Sequence, residues 1–131
     1  MTVEFVRELF DTLREMADFV VVDTSPGFTP EVIAAIDRSS WVCIVAMLDA
    51  LSLKNTKLGL ETLELMGSDI KDVKLLLNRA DSRVGISADD VHAIVGRRPD
   101  VQVPSHRDIP RAVNQGQPIV LADPKSDAAA A

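Results

Sequence analysis

Tyrosine is absent and aromatic residues make up only 4% of the 131-residue chain, too few for the stacking platform on which single-stranded nucleic acids are held. Basic residues are outnumbered, with 14 Lys and Arg against 20 Asp and Glu, for a formal net charge of -6. That balance argues against a direct nucleic-acid binder, which needs a basic face. There is one cysteine, Cys43. It closes no internal disulfide, and its place inside an apolar run reads as a core thiol in a reduced, cytoplasmic chain. No run reaches the roughly 18 apolar residues that a membrane-spanning helix needs. The start, Met1-Thr2-Val3-Glu4, is not followed by the apolar block of a signal peptide. The two histidines, His92 and His106, have no Cys or His at ligand spacing, which argues against zinc. The six glycines, Gly27, Gly59, Gly67, Gly85, Gly96 and Gly116, are scattered singly, and no Gly-Lys-Ser or Gly-Lys-Thr occurs. The glycine-rich loop with a lysine that cradles phosphates ahead of a helix is therefore missing from these residues.

What is present is an ordinary globular composition, 47% apolar and 26% charged. The length suits a single domain over residues 1–131. From Asp123 to Ala131 the chain turns small and polar, which predicts a flexible tail. Phe5, Val6, Leu9, Phe10, Leu13 and Met16 recur at helical spacing and predict an amphipathic helix over 3–16. Phe19-Val20-Val21-Val22 is short, apolar and rich in β-branched residues, and reads as a strand covered on both faces. Thr29 caps the next helix with Pro30 at its first position. Trp41–Met47 reads as a second buried strand, with Trp41 packed at its start. Ser52 is expected to cap a helix running to about Met66. Val73–Leu77 is a third strand, Ser87 caps a helix that ends at Gly96, and Val101–Val103 is a short fourth strand. A last helix covers 107–115. Strands alternating with helices imply an α/β fold with a mostly parallel sheet and right-handed crossovers.

In such sheets ligands bind beyond the carboxyl ends of the strands. That rule selects Asp23, Asp49, Asn78-Arg79 and Pro104. Val20-Val21-Val22-Asp23 has the form of a strand delivering a carboxylate to the water shell of magnesium; an aspartate that merely opens a loop reads equally well. Asn78-Arg79-Ala80-Asp81 places an amide, which can donate to and accept from a purine edge, at the spacing of a guanine-reading Asn-Lys-x-Asp element, with Arg79 in place of the lysine. A polar turn with a local Arg–Asp pair is the alternative.

These residues resemble the ParA/MinD superfamily of deviant-Walker P-loop ATPases. The matching text is Asp18 to Thr29 (DFVVVDTSPGFT), Leu75 to Arg79 (LLLNR), Val103-Pro104, and Ile109 to Pro118 (IPRAVNQGQP). Within the superfamily, Asp23-Thr24-Ser25-Pro26-Gly27-Phe28-Thr29 and Leu48 to Asn55 look like the CpaE/TadZ proteins of Flp (tight-adherence) pilus assembly. The resemblance implies an incomplete P-loop NTPase, Rossmann-like and three-layered, whose phosphate-loop strand would lie upstream. The chain then reads as the C-terminal part of such an ATPase. It implies ATP and magnesium as cofactors of a full-length parent, with none expected on this chain alone. Asp23 would hold magnesium through water. Asn78 would contact adenine, Arg79 would frame the base pocket, and Pro104 with the backbone after it would close the other side. Ser25 stands where a proline is frequent in the family, and Ser105 and His106 where an acidic pair is frequent. The implied function is positioning or assembly of a Flp-type pilus or secretion machine. Its partners would be pilus or secretion components or a polar-localisation factor, with recruitment to the inner face of the membrane. Self-association is expected as well. The alternatives are a chromosome-partitioning or septum-placement ATPase of the same superfamily, and a non-catalytic α/β interaction module.

Overall fold

In a computed structural model of the chain, residues 2–67, 72–81 and 85–131 are described. They form two compact units, Met1–Val42 and Cys43–Ala131.

The first unit is a helix pair. Helix α1, Val3–Met16, is capped by Thr2, whose Oγ1 accepts the Phe5 N–H at 3.3 Å. Helix α2, Pro30–Asp37, is capped by Thr29, whose Oγ1 accepts from Val32, and Pro30 sits in the first turn as expected. Val6 and Phe10, one turn apart on α1, bury against Ala34 and Ala35 of α2, with Val3 at the margin. The small alanines let the two helices approach closely. Arg38, at the end of α2, pairs with Asp11, and Arg14 donates to the Arg38 carbonyl.

Between the two helices the structure departs from expectation. Phe19–Val22 forms no strand. Phe19 is 89% and Val21 96% exposed. An apolar β-branched run meets only half of what a strand needs. The other half is a neighbour to hydrogen-bond with, and the rest of this unit is helical.

The second unit carries the sheet. Strands β1 (Val42–Met47), β2 (Val73–Asn78) and β3 (Val101–Val103) lie in the order β1-β2-β3 in a parallel sheet. Pairing of β2 with β3 sets Leu76 opposite Val101, Leu77 opposite Gln102 and Asn78 opposite Val103. Asp100 starts this ladder. Its N–H donates to the Leu75 carbonyl at 2.8 Å, and its carboxylate accepts the Leu75 N–H at 2.7 Å and pairs with Arg97.

Helix α3, Ala50–Leu65, buries Leu53, Thr56, Leu60 and Leu63 along one face. These side chains join Val73, Leu75 and Leu77 of β2 and Val91 and Val95 of helix α4, Ala88–Val95, in the buried set. Asp49, not Ser52, caps α3; its Oδ1 accepts the Ser52 N–H at 2.8 Å. The Ser52 hydroxyl instead accepts the Met47 N–H at 2.9 Å, tying the strand end to the helix start. Ser87 caps α4 as expected, in a reciprocal capping box with Asp90. Gly96 ends the helix at a positive φ of 89°.

The expectation that Trp41–Met47 is covered on both faces is corrected. Val42, Ile44 and Ala46 face inward, while Cys43, Val45 and Met47 are exposed. Successive side chains of a strand point to opposite sides, and here only one side is covered. Cys43 is therefore not a core thiol. Trp41 precedes the strand and is 69% exposed rather than packed.

After β3, helix α5 (Asp108–Asn114), helix α6 (Ile119–Ala122) and helix α7 (Asp127–Ala130) follow, with α6 packed on both α5 and α7. Ser126 and Ala128 are buried in this last segment. No helix among the described residues is long and apolar enough to cross a membrane.

Candidate functional site

The carboxyl edge of the sheet is where a parallel α/β fold presents its ligand-binding loops. Here that edge is built by β2 and β3. Asn78 is the last residue of β2 and pairs in register with Val103, so Pro104, the next residue along, leaves the sheet beside it. The chain after Asn78 turns sharply. Arg79 adopts φ 55°, in the left-handed region that non-glycine residues rarely occupy. The Asn78 Oδ1 accepts the Arg79 N–H at 3.0 Å and so supports that turn. The amide NH2 and a second lone pair on Oδ1 are left for other partners. The Ala80 N–H donates to the Val103 carbonyl at 3.0 Å, extending the pairing beyond the strand.

Asp81 completes the arrangement. Its Oδ1 accepts the Ser105 N–H at 2.5 Å. This bond, together with a smaller contribution from the Ser105 hydroxyl, holds the Asp81 carboxyl below its ordinary value against the opposing effect of desolvation. The loop after β2 is thus fastened to the loop after β3, and Asn78 and Arg79 are exposed on the rim beside half-buried Pro104.

Of the residues selected from sequence, Asn78, Arg79 and Pro104 come together on this edge. Asp49 is occupied as the cap of α3. Asp23 lies in the other unit, exposed between α1 and α2. The Asp81–Ser105 bond and the role of Asp100 were not legible in the sequence. Asp81 stood at a suggestive spacing, but its partner is 24 positions away, and nothing local marks a backbone N–H as an acceptor's target.

The backbone path over this chain recurs in solved structures. A ParA family ATPase from Chlorobium tepidum TLS superposes with a TM-score of 0.89 at 22% identity, over 99% of this chain and 55% of that one. The fold is that of the ParA and MinD ATPases. The MinC:MinD cell division protein complex of Aquifex aeolicus matches over 100% of this chain and 56% of that chain, with a TM-score of 0.82 and 21% identity. The septum site-determining protein MinD of Pyrococcus horikoshii OT3, solved with Mg-ADP, matches with a TM-score of 0.78 at 20% identity, over 99% of this chain and 53% of its own. In sequence, the protein named "Putative septum site-determining protein MinD" from Emiliania huxleyi is 28% identical over 128 residues, 94% of this chain and 46% of that protein. No protein-family model matches the chain. The shared fold and the sequence relationship together support homology to ParA/MinD-type ATPases. The chain spans about half the length of the relatives it matches.

Proposed function

We propose that this chain supplies the base-binding portion of a ParA/MinD-type positioning ATPase, with Asn78, Arg79 and Pro104 forming the base end of an adenine-nucleotide site. The observation that carries the proposal is the register of β2 and β3, which sets Asn78 opposite Val103, with Pro104 the next residue along, at the carboxyl edge. An amide that donates and accepts suits the adenine edge, and the apolar C–H face of the proline ring suits the face of the base. Commitment of one Asp81 oxygen to Ser105 weakens the guanine reading, in which that carboxylate would accept from the base. The residues present fit the base end only. The Gly-Lys loop that would hold the phosphates does not occur in these 131 residues. Asp23 is the residue we assign to the magnesium water shell, where the ion would offset phosphate charge. A MinD relative solved with Mg-ADP supports nucleotide and magnesium as the cofactors of a whole protein of this type.

The septum-placement or partitioning role is the better-supported branch, because the sequence relative and two of the structural relatives are MinD proteins. The pilus-assembly role rests on the text of residues 23–29 and 48–55 alone.

The test is chemical-shift mapping of the 131-residue chain with adenosine, guanosine and AMP at millimolar concentration. Adenosine and AMP are expected to move the amide signals of residues 78–81 and 103–105, with guanosine weaker. Equal response to guanosine, or shifts confined elsewhere, overturns the assignment. ATP is expected to bind more weakly than the low-micromolar level, about -8 kcal/mol, because the contacts to its charged end are missing.

A further inference from the structure

His106, Asp108 and Asp123 converge in the second unit, each offering a ligand atom within 4.8 Å of the other two, and all three are half-buried. Asp108 opens α5, His106 lies in the turn before it, and Asp123 follows the last residue of α6. Two carboxylates that face each other repel unless a cation lies between them. Among the described residues, Asp123 makes no side-chain hydrogen bond or ion pair, although Arg111 lines the same cavity. That cavity, about 300 Å³, lies between α5 and α6 and is lined by Asp108, Arg111, Gln115 and Asp123 with apolar residues behind them.

The imidazole lies directly against Asp108. The Asp108 N–H donates to His106 Nδ1 at 3.4 Å, and Asp108 Oδ2 is 3.7 Å from the same nitrogen. Nδ1 thus accepts a backbone N–H through its one lone pair, and a metal on that nitrogen displaces this long bond. Tetrahedral zinc holds N and O ligands at about 2.0–2.2 Å, and so roughly 3.4 Å from one another. Closing from the observed spacing takes about an ångström of side-chain movement in groups that are only half-buried.

We propose that His106 Nδ1, Asp108 and Asp123 bind one divalent transition-metal ion, with water from the cavity completing its shell. One imidazole nitrogen with two carboxylates suits zinc or cobalt over magnesium, which prefers oxygen alone. The site uses none of the residues assigned to the nucleotide base and stands independently of that reading. A search for paired His and Cys in the sequence does not find it, because two of its donors are aspartates.

The experiment is titration of the full chain with CoCl2, followed by visible absorption and by competition with ZnCl2. A Cys43→Ser background is used because Cys43 is exposed. One equivalent of Co2+ is expected to bind with ligand-field bands and to be displaced stoichiometrically by Zn2+. His106→Gln and Asp123→Asn should each weaken binding at least tenfold, while His92→Gln leaves it unchanged. Millimolar MgCl2 should not compete. Asp123→Asn is nearly isosteric and breaks no described bond, so it remains informative if His106→Gln unfolds. Absence of the bands, binding that survives both substitutions, or displacement by Mg2+ as effective as by Zn2+ overturns the proposal.

Discussion

At Asp81 a carboxylate that stands at the spacing of a base reader accepts a backbone N–H from the neighbouring loop. The folded chain holds this carboxyl below the ordinary value of 3.8, first through the Ser105 N–H. A depressed carboxyl contributes stability above its unfolded pKa, and that contribution is lost as pH falls through the folded value. Asp81→Asn keeps an acceptor but removes the charge. It is expected to melt below the parent chain at neutral pH, with the two converging once acid titrates Asp81. Thermal melts from neutral pH to about pH 2 check this, and a gap that persists at the acid end would mean that the charge is not the cause. The same residue marks the boundary of what sequence reveals. Asn78 and Pro104 could be chosen because each directly follows an apolar run. Ser105 could not, since its contribution is a main-chain group. Asp49 and Ser52 lie between these cases: a helix start was legible there, but two good capping residues stood within reach and only the folded geometry assigns the cap to Asp49.

Among the elements, β2 is the one whose loss the fold tolerates least. Leu75 is fully buried, with Val73 and Leu77 beside it on the same face of the strand. Leu75→Ala is expected to cost about 2–5 kcal/mol, whereas Leu65→Ala, at a position 89% exposed at the end of α3, should stay within about 0.5 kcal/mol. Urea unfolding of both variants measures the contrast, and equal costs would contradict this description of the core. Helices α1, α2 and α4, the last two with their caps, were legible because helical hydrogen bonds are local and their signals lie within a few residues. The third and fourth expected strands formed as β2 and β3. The first did not, and the inward-outward alternation of β1 was missed. Both failures concern the same physics: whether an apolar run has neighbours across the ladder or above its face is decided by distant parts of the chain.

For the whole molecule, the exposed apolar surface decides behaviour in solution. Phe19, Val21 and Trp41 are exposed in the first unit, and Val45, Met47 and Leu51 in the second. A net charge of -6 opposes association, but it satisfies neither apolar surface nor unpaired backbone. The chain is expected to self-associate as its concentration rises. Size exclusion coupled to light scattering measures this, and a monomer over a wide concentration range with a cooperative melt would show that these surfaces are tolerated singly. Val21→Thr combined with Val45→Thr should shift the chain towards monomer if they carry the association.

Arg79 stands at φ 55°, a conformation that costs an L-residue roughly 1–2 kcal/mol and glycine almost nothing. A redesign for heat resistance would change this position early, and glycine would be its choice. The exchange would fall at the rim of the proposed base site, and it deletes the guanidinium together with the interactions Arg79 makes. On the proposed reading of the site, robustness and recognition are opposed at a single codon, and a thermostabilised variant of this chain is where a loss of ligand selectivity should be looked for first.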